Sequence, residues 1–165
     1  MFSFDLIDLF SHLPRELAVF FIGMTPVAEL QAAIPVGLGI YRLSPAVTYV
    51  WALAGNLVPV YFLLMFLGPL SAWLMRRNQF FNRFFTWLFA HTRNKFVEKY
   101  RRYGEWALFF FIAIPTPLSG AWSSSVAAFI FGVPVRRALW LIVLGELIAG
   151  LIILGVYQGA FAFFH

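Results

Sequence analysis

Two of the four apolar stretches in this chain are broken by proline, and that restricts its fold more than any other feature. The stretches run at about Leu17–Tyr41, Pro45–Met75, Glu105–Val133 and Ala138–Phe164. The second and fourth are predicted to be spanning helices, since about 20 apolar residues cross a hydrocarbon core of roughly 30 Å. Pro26 and Pro35 interrupt the first stretch, and Pro115, Pro117 and Gly120 interrupt the third. Proline inside a helix removes a backbone donor and clashes with the preceding turn. The pieces flanking the third break, Glu105–Ile114 and Ala121–Gly132, are ten and twelve residues long. At 1.5 Å per residue each reaches roughly 15–18 Å, about half the core. That length predicts a re-entrant helical hairpin, and the first stretch reads the same way, with Pro26 and Pro35 competing to be its break.

Composition identifies the solvent. Hydrophobic residues make up 62% of the 165 and charged residues 12%, against roughly 45–50% and 25% in soluble domains. A chain this short cannot bury so much apolar surface in its own core, so lipid must cover it. With no cysteine, disulfides, thiol catalysis and thiolate metal sites are excluded. The net charge of +5 is placed for orientation in a membrane, with no nucleic acid implied. Eight of the twelve basic residues fall between Arg76 and Arg102, where Glu98 is the only acid. Short basic connections stay in the cytoplasm, so this segment is expected there. Two hairpins would also return Arg136 and Arg137 to that face, leaving Arg15 and Arg42 outside. Met1–His12 carries Asp5 and Asp8 without Lys or Arg. It lacks the features of a cleaved leader and is expected to stay as an interfacial stretch.

The breaks also mark a repeat. Gly55-Asn56-Leu57 and Gly145-Glu146-Leu147 lie 90 residues apart, Pro26 and Pro115 lie 89 apart, and so do Pro45 and Pro134. The expected fold is therefore an all-α integral membrane domain over residues 1–165 built from two inverted repeats. Each repeat, 15–75 and 105–165, is a proline-broken re-entrant hairpin followed by a spanning helix. Residues 1–14 are expected to be interfacial. Residues 76–104 are expected to form a cytoplasmic basic amphipathic helix, with Phe80, Phe81, Phe84, Phe85 and Leu88 on one face against the anionic headgroup region. Secondary transporters are built this way, with sites at mid-membrane beside broken helices.

The candidate functional residues follow from that architecture. Glu29 and Glu146 are the ionisable groups inside apolar stretches, and Glu105 lies at a boundary. A carboxyl at membrane depth is costly and functional by default, which makes protons the expected coupling ion. The structural alternative is a neutral acid bonded to another helix, and Gly145 and Gly150 around Glu146 also fit close helix packing. Ser119 and Gly120 at the second break, followed by Trp122 and Ser123–Ser125, offer anion donors, or simply let helices approach. Asn56 fits a cavity wall or an interhelical bond. Arg136 and Arg137 serve as topology anchors or as binders of anionic headgroups. Enzyme chemistry has no constellation: His12, His91 and His165 all lie outside the apolar stretches, so neither a serine–histidine pair nor a metal cluster can assemble within them. No cofactor or metal is expected. The two principal function classes are a transporter of a small or lipid-linked anionic substrate and a non-transporting structural or partner-binding protein. A homo-oligomer is compatible with either.

In order along the chain, Pro26-Val27-Ala28-Glu29-Leu30-Gln31-Ala32-Ala33-Ile34-Pro35-Val36-Gly37, Gly55-Asn56-Leu57-Val58-Pro59, Tyr103-Gly104-Glu105-Trp106-Ala107-Leu108, Ile114-Pro115-Thr116-Pro117-Leu118-Ser119-Gly120-Ala121-Trp122 and Arg136-Arg137-Ala138 resemble the small multidrug export protein family. That family is usually placed near the DedA superfamily. Gln31-Ala32 stands where the family often has Arg-Gly, and Pro115–Trp122 lacks the arginine usual in DedA hairpins. The resemblance implies a multi-pass transporter of the bacterial inner membrane with paired hairpins. A third option is a proton-coupled drug exporter, a four-helix antiporter of the small multidrug resistance type, for which unbroken helices would be expected.

Overall fold

A computed structural model describes residues 12–26, 28–115 and 120–164; most of the expected interfacial N-terminus, and Ser119, lie outside them. The described residues form helices and turns without a strand. In chain order the helices are α1 (Arg15–Met24), α2 (Glu29–Pro35, prolonged by a π-helical turn over Val36–Ile40), α3 (Pro45–Arg77), α4 (Gln79–Tyr103), α5 (Trp106–Ala113), α6 (Ala121–Ile130) and α7 (Val135–Phe164). Two of them, α3 and Val135–Ala160 of α7, are long and apolar enough to cross a membrane. At 33 residues, α3 is roughly 50 Å long and exceeds the hydrocarbon core. It runs through Pro59 and Pro69 without ending, although neither proline can donate to the carbonyl four residues back.

The competition between Pro26 and Pro35 is resolved. The chain breaks at Thr25–Ala28, where the Thr25 hydroxyl and backbone N–H both donate to the Ile22 carbonyl, at 2.8 and 3.1 Å. Pro35 sits inside helical backbone. The helix after it widens to a five-residue repeat, with the Tyr41 N–H donating to Val36 O at 3.0 Å. A proline clash with the preceding turn is one cause of such widening.

By internal packing the chain forms two compact units, of which the first is discontinuous in sequence and the second continuous. The first contains residues up to Pro59 and from Glu146 onward; the second is Val60–Gly145. In the first unit, α1 packs on α2 across the Pro26 break. Val19, Ile22, Leu30, Ala33, Ile34 and Ala52 form its core. Small residues set the spacing: a Cβ on Gly55 would overlap the Phe20 carbonyl, and one on Gly23 would come within 2.7 Å of the Ala52 carbonyl.

In the second unit, α5 packs on α6 and both pack on α4. Phe96, Leu108, Phe111 and Ala127 form one core cluster, and Leu67, Phe85 and Val126 form another. Here too a glycine meets a carbonyl, since a Cβ on Gly145 would lie 2.9 Å from Ile112 Cβ and 3.1 Å from Phe109 O. Asn78 opens α4 by accepting from the Phe80 N–H at 2.9 Å, a standard N-cap. The aromatic face of α4 divides. Phe85 is buried, and Phe81 and Leu88 pack beside it, whereas Phe80, Phe84 and Trp87 are exposed. Part of the stripe expected to face headgroups therefore packs on protein, because α6 and the second half of α3 offer apolar partners.

Candidate functional site

The buried polar groups of the first unit gather on two helices. Thr48, Ala52 and Asn56 stand four residues apart on α3 and are all fully buried, so one face of this helix points inward. From it Asn56 Nδ2 donates to Glu146 Oε2 of α7 at 2.7 Å, and both residues are buried. Asn56 Oδ1 and Thr48 Oγ1 are enclosed without a hydrogen-bond partner. Next to Thr48 on α3, Tyr49 donates its hydroxyl hydrogen to Leu147 O at 2.8 Å. The Tyr49 ring occupies the space beside Gly150, where a Cβ would come within 2.7 Å. A charged carboxylate so enclosed, with one neutral donor, bears a large desolvation cost. Taking up a proton removes the charge, which gives the pair a chemistry beyond packing.

Glu29 belongs to the same unit. It opens α2 just past the Pro26 break and is half-buried. Its backbone has φ 44°, a left-handed conformation that glutamate rarely adopts. Such strain costs on the order of 1–3 kcal/mol and clusters at functional positions. Glu29, Asn56 and Glu146 thus share one unit, as candidates drawn from three separated segments of sequence.

The other candidates lie in the second unit. Gly120 is extended (φ −145°, ψ 179°) and precedes α6, its carbonyl accepting from the Ser124 N–H at 3.0 Å. Trp122 Nε1 and Ser124 Oγ are buried without a hydrogen-bond partner, while Ser125 Oγ donates to Ala121 O at 2.7 Å. An unpaired buried donor costs about 1–3 kcal/mol; two residues apart on α6, Trp122 and Ser124 point to different faces of the helix. Arg136 and Arg137 are exposed in the first turn of α7. Arg137 Nη1 lies 3.4 Å from Glu105 Oε1, so the two ends of the third apolar stretch lie side by side.

Tyr49 and Thr48 escaped the reading of the sequence, which weighed ionisable residues and helix breakers. The signal present was the four-residue spacing of Thr48, Ala52 and Asn56. Among the described residues no cluster of three or more His, Asp or Glu is arranged to hold a metal ion.

Neither a curated protein nor a solved structure matches the chain. The family described as "Putative small multi-drug export protein" matches residues 29–152 of the 165, a span that contains Glu29, Asn56, the second break and Glu146. Two long apolar helices, two broken helix pairs and a buried carboxyl accompany that match, and the chain belongs to the small multi-drug export protein family.

Proposed function

We propose that this protein is a proton-coupled membrane transporter of a small or lipid-linked anion, with Glu146 as its proton-binding group and Asn56 as that group's partner. The observation that carries the reading is the 2.7 Å bond between them. Asn56 and Glu146 occupy matching places, each between Gly and Leu, in segments 90 residues apart. Residues related by an internal two-fold meet in this way only near its axis, which is where repeat-built transporters bind their cargo and coupling ions.

The inverted repeat has further support. Gly55 meets the Phe20 carbonyl, and Gly145 meets that of Phe109; Phe20 and Phe109 are 89 residues apart, as Pro26 and Pro115 are. Each compact unit also combines one broken stretch, the first half of the long helix after it and the second half of the other long helix. Re-entrance of the third stretch is supported by the Glu105–Arg137 contact, since segments whose ends touch have not crossed the bilayer between them. An anionic cargo is supported by the Trp122 N–H, enclosed without a hydrogen-bond partner in the first turn of α6.

Proteoliposomes containing a pH-sensitive dye test the function. Wild-type protein should couple a pH change to gradients of at least one anion in a panel of inorganic phosphate, organic phosphates and carboxylates. Glu146→Gln should abolish that change while insertion and thermal stability are nearly retained. If lipophilic cationic drugs alone elicit the change, the cargo is a drug. No response to any probe from well-folded protein would instead favour the structural reading, in which the Asn56–Glu146 bond only joins two helices.

A further inference from the structure

The end of α4, the turn into α5 and the start of α7 enclose a groove of about 710 Å³ in the second unit. Its walls include Tyr103, Glu105, Trp106, Arg136, Arg137 and Trp140. That volume lies within the usual range of small-ligand sites, roughly 300–1,000 Å³. Two physical characters divide it. At one end stand Arg136 and Arg137 with Glu105 as their acidic neighbour, so the wall keeps one positive charge in excess. Outside the lining, the Arg102 guanidinium lies 5.3 Å from the centre of the Tyr103 ring. At the other end Trp106, Trp140 and Leu144 are exposed at 55%, 68% and 40%.

We propose that this groove is a binding site for an anionic phospholipid, with the phosphate at Arg136 and Arg137 and an acyl chain along Trp140 and Leu144. The proposal is independent of the transport reading, because it invokes none of the residues assigned to proton or cargo. Arginine's planar fork suits a phosphate oxygen pair. Glu105 holds Arg137 in place, and Arg136 has no acidic partner among the described residues to compete with a ligand. Tryptophan, apolar in body with one N–H, settles at the headgroup level of a bilayer. The apolar wall lies along one face of α7, since Trp140 and Leu144 stand four residues apart and both are exposed. A free phosphate would use the arginines and leave that wall unused. A zwitterionic lipid would use the wall and carry no net charge to match the excess. An anionic phospholipid uses both.

The experiment is native mass spectrometry of the detergent-purified full chain with phosphatidylglycerol or phosphatidylcholine of the same acyl chains. Retained phosphatidylglycerol should exceed phosphatidylcholine about thirtyfold, the ratio that the usual worth of two arginines at an anionic lipid surface implies. Arg136→Gln with Arg137→Gln should abolish the preference. Arg93→Gln, an exposed arginine of α4 outside the groove, should leave it intact. Trp140→Ala should weaken retention of both lipids. Full displacement of phosphatidylglycerol by millimolar inorganic phosphate would overturn the lipid assignment in favour of a free-anion site. Equal retention of the two lipids, or equal loss in the Arg93 variant, would overturn the site. Should the double arginine variant fail to fold, brominated lipids read the wild type directly. Stronger quenching of tryptophan fluorescence by brominated phosphatidylglycerol than by brominated phosphatidylcholine supports the site, and equal quenching refutes it.

Discussion

Asn56 and Glu146 should tolerate change unequally, because Asn56 supplies the donor of their bond and Glu146 the acceptor. Glu146→Gln keeps a carbonyl oxygen to accept from Asn56 Nδ2, so the interhelical bond survives without the carboxyl. Asn56→Ala leaves a buried carboxyl with no donor, and the cost of an unsatisfied buried group is about 1–3 kcal/mol. Thermal unfolding in one detergent should therefore rank wild type and Glu146→Gln close together, with Asn56→Ala clearly lower. The glycines permit a second comparison. Gly55→Ala puts a methyl group into the Phe20 carbonyl, backbone that cannot swing aside, and overpacking of this kind typically costs 1–3 kcal/mol. At Gly155 a Cβ meets nothing within 4 Å. There the same substitution should be neutral or gain up to about 1 kcal/mol from helix propensity. A smaller loss of stability at Gly55 than at Gly155 would show that α1 does not seat on α3 as described.

At the level of elements, the third apolar stretch makes the sharpest claim. Its two helices, α5 and α6, have 8 and 10 residues, lengths of roughly 12 and 15 Å. Neither crosses a bilayer alone. With Glu105 and Arg137 in contact at its two ends, residues on α4 and residue 136 should face the same aqueous phase. The absence of cysteine makes the labelling simple, as single Arg93→Cys and Arg136→Cys variants need no background changes. Both should react with an impermeant maleimide only from the cytoplasmic side. Labelling of residue 136 from outside alone would replace the hairpin with a span. The cap of α4 is a further lever: Asn78→Ala removes the acceptor for the Phe80 N–H and should cost about 1 kcal/mol.

For the whole molecule, the consequence lies in how the chain is shared between units. The first unit takes α1, α2 and the first half of α3 from one end of the chain, and the second half of α7 from the other. The Asn56–Glu146 and Tyr49–Leu147 bonds join those distant segments. A fragment of residues 1–77 expressed alone would leave Asn56, Thr48 and Tyr49 without α7. It should be degraded or aggregate, whereas co-expression with residues 78–165 should recover a complex that co-purifies. Independent, monodisperse folding of residues 1–77 would contradict the shared unit.

Sequence alone determined the solvent, the helical class, the two long helices and the places where helix must stop. These follow from local rules: apolar length, the missing proline N–H and the cost of charge in lipid. It also singled out Glu29, Asn56 and Glu146, because polar groups are conspicuous in an apolar sequence. Tertiary structure decided what local rules leave open. Pro26 became the break and Pro35 did not, since a proline can stay in a helix that widens around it. Tyr49 and Thr48 joined the site because a neighbouring helix buried their face. Half of the α4 aromatic stripe turned inward because apolar partners were there to receive it. The pairing of Asn56 with Glu146 is also tertiary: spacing along a chain puts residues at corresponding positions, but only the packing of one helix on another brings a donor within 2.7 Å of its acceptor.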